Sequence, residues 1–148
     1  MIINQGIGGD NSIMLTINYL AVFAAAIVNM ILGYAWYGPI LGRQWMKLTR
    51  RTKESMEKDK KDLPIVMGSM FVGALVMAYV LAMFIGLTNS IGVYAGAMIG
   101  FWAWLGFVAT TMFQDVLYEK KNKNLAAINL GYNLAALVIN GAILASWK

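Results

Sequence analysis

The chain contains neither cysteine nor histidine. The first absence excludes disulfides, thiolate nucleophiles and thiolate metal sites; the second removes the usual near-neutral proton carrier and the commonest ligand of zinc and haem. No metal centre and no cofactor is expected from the residue types that remain. Proline is almost absent, with only Pro39 and Pro64. Charge is scarce as well: 13% of the 148 residues are Asp, Glu, Lys or Arg, against roughly 25% in soluble domains. Three long stretches, 11–42, 63–114 and 124–147, contain none at all. A soluble helical domain needs a polar face on every surface helix, so runs of this kind exclude one.

What is present is apolar surface. Hydrophobic residues make up 59% of the chain, and mean hydropathy is +0.61. A membrane-spanning helix needs about 20 apolar residues, so the 63–114 run is too long for one span. It divides at Thr88-Asn89-Ser90, a polar cluster suited to a turn. The expectation is one domain, 1–148, with spans at about 15–38, 64–87, 92–114 and 125–147. Its fold class is all-α: an integral membrane four-helix bundle with a short amphipathic interfacial helix between the first and second spans.

Seventeen of the nineteen charges fall in 43–62 and 115–123, and these windows hold eleven of the twelve basic residues. The loops 40–63 and 115–124 therefore lie on one side. The positive-inside rule places them in the cytoplasm and both termini outside, in a cell membrane of the bacterial inner type. A net charge of +5 taken alone suggests a nucleic-acid footprint. The bases adjoin the spans, however, so the expected partner is the bilayer with its anionic headgroups, and no nucleic acid. No cleavable signal peptide is expected, because the residues before the first span lack Lys and Arg.

Trp36-Tyr37-Gly38-Pro39 should end the first span, since aromatic rings favour the headgroup zone and Pro breaks the hydrogen-bond ladder. Beyond it Leu41, Trp45, Leu48 and Thr52 recur at helical spacing, with Arg43, Lys47, Arg50 and Arg51 around them. That pattern predicts a helix lying on the inner leaflet, with Arg43, Trp45, Lys47, Arg50 and Arg51 in contact with lipid. Lys53 to Asp62 reads as a solvated linker, and Asn124 as the N-cap of the last span. Gly92, Gly96 and Gly100 form a small-residue ladder in the third span, as do Ala74, Ala78, Ala82 and Gly86 in the second. Close backbone approach drives helix association in lipid, so the two ladders are expected to pack on each other, or the glycines to form a homodimer contact.

Polar groups inside the spans are amides and hydroxyls. Asn18 and Asn29 share a face of the first span; Asn129, Asn133 and Asn140 share one on the last. At 1.5 Å per residue, Asn29 and Asn133 lie roughly 14 and roughly 12 Å from the charged side, so they are expected to pair. Thr110, Gln114, Asp115 and Asn129 form a candidate polar pocket near the cytoplasm. The simpler reading has Asp115 and Glu119 ending the helix and pairing with nearby lysines. Trp102 and Trp104 read as packing or lipid contacts.

The ordered segments Ile17-Asn18-Tyr19-Leu20-Ala21-Val22, Leu32-Gly33-Tyr34-Ala35-Trp36-Tyr37-Gly38-Pro39 with Gly42 and Trp45-Met46, Gly100-Phe101-Trp102-Ala103-Trp104-Leu105-Gly106-Phe107-Val108-Ala109-Thr110 with Val116-Leu117-Tyr118-Glu119, and Ile128-Asn129 with Gly131-Tyr132 resemble the small bacterial membrane proteins grouped as domain of unknown function 1761. The resemblance implies a four-helix membrane protein. That family has no established activity, so it supplies no catalytic residue. Three functions remain in order: assembly with itself or a membrane partner; an oligomeric transporter or channel with a pathway through Asn29, Asn133, Thr110 and Asp115; and a lipid-acting enzyme using Asp115 and Glu119. An enzyme is the least expected.

Overall fold

The computed structural model of the protein describes residues 2–4, 12–14 and 16–147. The expected start of the first span at 15 lies outside them. Four helices are long and apolar enough to cross a bilayer: Tyr19–Ile40, Leu63–Leu87, Val93–Tyr118 and Lys123–Ser146. Before them, β1 (Ile2–Asn4) pairs antiparallel with β2 (Ser12–Met14). The rest of the architecture is a helical membrane bundle.

Helix α1 (Tyr19–Ala35) starts at Asn18, whose side chain accepts from the backbone N–H groups of Leu20 and Ala21, both at 3.1 Å. The expected stop at Trp36-Tyr37-Gly38-Pro39 is a widened turn. Residues Trp36–Ile40 wind as a π-helix, with the Leu41 N–H donating to the Trp36 carbonyl at 2.9 Å. Pro39 has no N–H to give, and the five-residue bond pattern carries the chain past it.

The next helix, α2 (Gly42–Thr49), ends at Arg50, which is left-handed at φ 54°. Thr52, expected on the apolar face of that helix, is exposed and starts another one. Thr52 and Ser55 bond each other's N–H through their hydroxyls, both at 3.2 Å, and open α3 (Lys53–Lys58). The expected linker from Lys53 to Asp62 is thus a short helix with a 3₁₀ turn at Asp59–Lys61.

Pro64 occupies the first turn of α4 (Leu63–Leu87), where its missing N–H costs nothing. Helix α5 (Val93–Ala103) continues through a π-helical turn, Trp104–Ala109, into α6 (Thr110–Tyr118), and the three make one rod. The turn between α4 and α5 uses Asn89 (φ 49°) and Gly92 (φ 95°); glycine meets the second requirement without strain. The N-cap of α7 (Lys123–Ser146) is Asn122, not Asn124 as expected: its side chain accepts from the N–H groups of Asn124 and Leu125.

Small residues gather at the end of the bundle that holds the 88–92 turn. Ala21, Val22 and Ala25 of α1, Ala78, Leu81 and Ile85 of α4, and Leu137, Leu144 and Ala145 of α7 form the buried core. There the glycine ladder corrects the sequence reading. A Cβ on Gly96 would fall on the Gly141 carbonyl, and one on Gly100 on the Leu137 carbonyl. The ladder of the third span thus packs on α7, not on the second span, and it is used within one chain. The alanines instead face α1: Ala74 and Ala78 are buried, and Ala78 joins Ala21 and Ala25 in the core. Gly92 serves the turn, and its N–H donates to the Ala145 carbonyl at 3.0 Å. Gly86 and Ala82 are half-buried.

At the other end the bundle opens. Residues 63–70 of α4 are all exposed, as are Thr110, Thr111, Phe113, Gln114, Leu117 and Tyr118 of α6. The second and third spans diverge from their shared turn. The second span packs chiefly on α1 and the third chiefly on α7, each more than on the other.

Candidate functional site

Helices α1 and α7 run antiparallel and are tied at both ends. At the closed end, the Asn18 side-chain amide donates to the Trp147 carbonyl at 3.2 Å. At the charged end, the ties involve aromatic rings. The Trp36 indole N–H donates to the Ile128 carbonyl at 3.1 Å, and the Tyr37 hydroxyl donates to the Asn129 side-chain oxygen at 2.9 Å. One turn deeper, the Tyr132 hydroxyl makes longer contacts to Asn29, 3.3 Å to Oδ1 and 3.4 Å to the backbone oxygen. Glycine makes room for these rings reciprocally. A Cβ on Gly131 would meet Trp36 at 3.0 Å, and one on Gly33 would meet the Tyr132 hydroxyl at 3.3 Å.

This arrangement corrects the expected amide pair. Asn29 and Asn133 do not bond each other: Asn29 is buried against Tyr132, while Asn133 donates to the Asn129 carbonyl of its own helix at 2.9 Å. Tyr132 reaches across to α1, while Asn133 lines the groove between α4 and the third span. The expected polar pocket is also divided. Asn129 belongs to the aromatic layer with Tyr37, whereas Thr110 bonds the Gly106 carbonyl of its own helix and Gln114 is exposed. Asp115 and Glu119 each lie 2.8 Å from Lys121. Hydrogen bonds from Lys121 to Asp115, and then to Glu119, push the exposed Lys121 ammonium up to about 12. The four residues of the expected transport pathway are not brought together.

Two side chains gain roles that the sequence reading did not give them. Trp104, at the start of the second π-helical turn, donates its indole N–H to the Leu130 carbonyl at 3.1 Å. Trp102 is 59% exposed, as a lipid-facing ring is. Tyr37 also touches Tyr132 (ring centroids 5.2 Å apart) and Trp45 (5.9 Å). Trp45 in turn lies under the Arg51 guanidinium, 5.8 Å from Cζ to the ring centroid. Through Trp45, α2 is docked on the end of the first span; Arg43, Lys47 and Arg50 remain exposed.

Two concave surfaces flank this layer. One is a cleft of about 620 Å³ between α2 and the start of α7, with Trp36 and Ile128 in its wall. The other is a groove of about 410 Å³ between α4 and the third span, lined by apolar residues from both, with Asn133 and Leu137 of α7. Among the described residues no cluster of three or more Asp or Glu side chains is placed to hold a metal ion.

The chain matches the family described as Protein of unknown function (DUF1761) over residues 20–145. It belongs to that family. No curated protein and no solved structure matches it. The DUF1761 segment runs from the first turn of α1 to the last turn of α7, so all four spans, the aromatic layer and both concave surfaces fall within it.

Proposed function

We propose that this DUF1761 protein works by assembly in the membrane rather than by catalysis, taking a further transmembrane helix into the groove between α4 and the third span. Asn133 carries the reading. Its amide N–H is used on Asn129, while its side-chain oxygen accepts nothing among the described residues. The groove walls around it, including Val76, Val80, Phe84, Phe107 and Val108, are apolar. An open acceptor in hydrocarbon is answered best by a donor from another helix. In the simplest case that helix comes from a second copy of the chain. Fixing Asp115 and Glu119 to Lys121 supports a non-enzymatic role. The basic loops favour a cell-membrane orientation with 40–63 and 115–124 in the cytoplasm and both termini outside.

The test is particle mass in lipid nanodiscs over a range of protein-to-lipid ratios. Wild type should form dimers or larger species, and Asn133→Leu should shift them to monomers while keeping thermal stability. A wild-type monomer at every ratio would overturn the proposal. Gly96→Leu is unsuited to this test, because Gly96 already contacts α7 of its own chain.

A further inference from the structure

The cleft between α2 and α7 combines two kinds of wall. Leu41 and Leu48 of α2, Ala127 and Ile128 of α7, and Trp36 supply apolar surface; Gln44, Lys47 and Asn124 supply polar ends. None of these three polar side chains has a hydrogen-bond or ion-pair partner among the described residues, so the site converges three free polar groups on an apolar floor. The indole wall is fixed by its bond to the Ile128 carbonyl and its contact with Gly131. Volume agrees with a ligand site: about 620 Å³, within the roughly 300–1,000 Å³ typical of small-molecule pockets.

Position decides the class of ligand. Helix α2 begins two residues after the first span ends at Ile40, and α7 begins the fourth span at Lys123, so the cleft lies at the membrane boundary. A ligand there must be apolar where it meets Leu41, Leu48 and Ile128, and anionic and rich in acceptors where it meets Lys47, Gln44 and Asn124. The surrounding α2 surface adds Arg43 and Arg50, both exposed, and gives the approach a positive field. We infer that the α2–α7 cleft is a specific binding site for one anionic phospholipid from the leaflet on the charged side. Lys47 and the two amides hold its headgroup, and its glycerol and upper acyl chain lie along Trp36, Leu48 and Ile128. This differs from general attraction of a basic loop to a charged membrane, because Lys47, Gln44 and Asn124 line one bounded cleft together with its apolar wall. It does not rest on the assembly reading, since the cleft and the α4 groove share no residue.

The experiment is native mass spectrometry of the full chain released from detergent, titrated with phosphatidylglycerol or phosphatidylcholine. Expected is one retained phosphatidylglycerol per chain, with at least tenfold preference over phosphatidylcholine. Lys47→Glu should weaken retention at least tenfold, whereas Lys58→Glu, the same charge change on exposed α3, should alter it less than twofold. Ala127→Trp fills the cleft without changing charge and should also abolish retention, which keeps the test decisive if Lys47→Glu does not fold. Equal retention of the two lipids, equal loss from Lys47→Glu and Lys58→Glu, or full retention by folded Ala127→Trp would each overturn the inference.

Discussion

Trp36 and Trp104 donate their indole N–H groups to α7, the first to the Ile128 carbonyl and the second to the Leu130 carbonyl, both at 3.1 Å. Each tryptophan opens a π-helical turn in its own span. A carbonyl inside a helix keeps a second lone pair after its backbone bond, so α7 accepts both indoles without losing a helical bond. The two wide turns aim rings from different helices at one short stretch of α7. That stretch is the junction of the charged end of the bundle.

The hydroxyl of Tyr37 should couple energetically to Asn129. A double-mutant cycle with Tyr37→Phe and Asn129→Ala, read by unfolding in detergent or bicelles, should give a coupling of about 0.6–1.7 kcal/mol, the range of interhelical hydrogen bonds in membranes. The same cycle on Asn29→Ala and Asn133→Ala should give a coupling near zero. Equal coupling in both cycles would restore the amide pair that the sequence suggests.

Glycine substitutions should separate by location rather than by helix. Gly96→Ala puts a methyl against the Gly141 carbonyl and should cost about 1–3 kcal/mol, as overpacking does. Gly73→Ala, on α4 with open space around it, should stabilise the monomer in detergent by about 0.5–1 kcal/mol through helix propensity. Thermal unfolding of the two variants side by side decides the matter. A tolerated Gly96→Ala would remove the α5–α7 contact from the account.

Asn140 is 1% exposed, and among the described residues neither its side-chain oxygen nor its nitrogen has a partner. An unsatisfied buried amide costs on the order of 1–3 kcal/mol, and replacing it with an apolar group of similar volume removes that cost. Asn140→Leu should therefore raise the unfolding midpoint. A fall would mean that the amide is bonded in the membrane, and a buried water is the natural partner to look for.

The absence of native cysteine makes topology directly measurable. Ser146→Cys should react with a membrane-impermeant maleimide added outside intact cells, and Lys60→Cys should react only after lysis. The opposite pattern would invert the orientation read from the basic loops.

The spans were legible because hydropathy and charge act locally: bare runs such as 63–114 carry their own signal, and the Thr88-Asn89-Ser90 break falls where the helix turns. Partner choice was not legible. Gly96 and Gly100 announce close approach, but the small residue opposite them, Gly141, is 45 positions away from Gly96 in the sequence. Nothing in a linear pattern pairs the third span with the fourth in preference to the second. The aromatic layer was missed for a related reason. Tyr37 reads as a ring suited to an interface and Tyr132 has no reading of its own, and their hydroxyl partners become apparent only when α1 lies antiparallel to α7. One signal was available, in the glycines beside or one turn from the rings, Gly131 before Tyr132 and Gly33 before Trp36.

Dependence of the first and third spans on α7 has a consequence for synthesis. The first three spans leave the ribosome, at about 5–20 residues per second, before the helix that accepts their indoles and fills their glycine notch has been made. For several seconds they reside in the bilayer with Asn29, Trp36 and Trp104 lacking their final partners. The α1–α4 pair can form first, but the full bundle has to wait. It closes when its latest-made helix arrives.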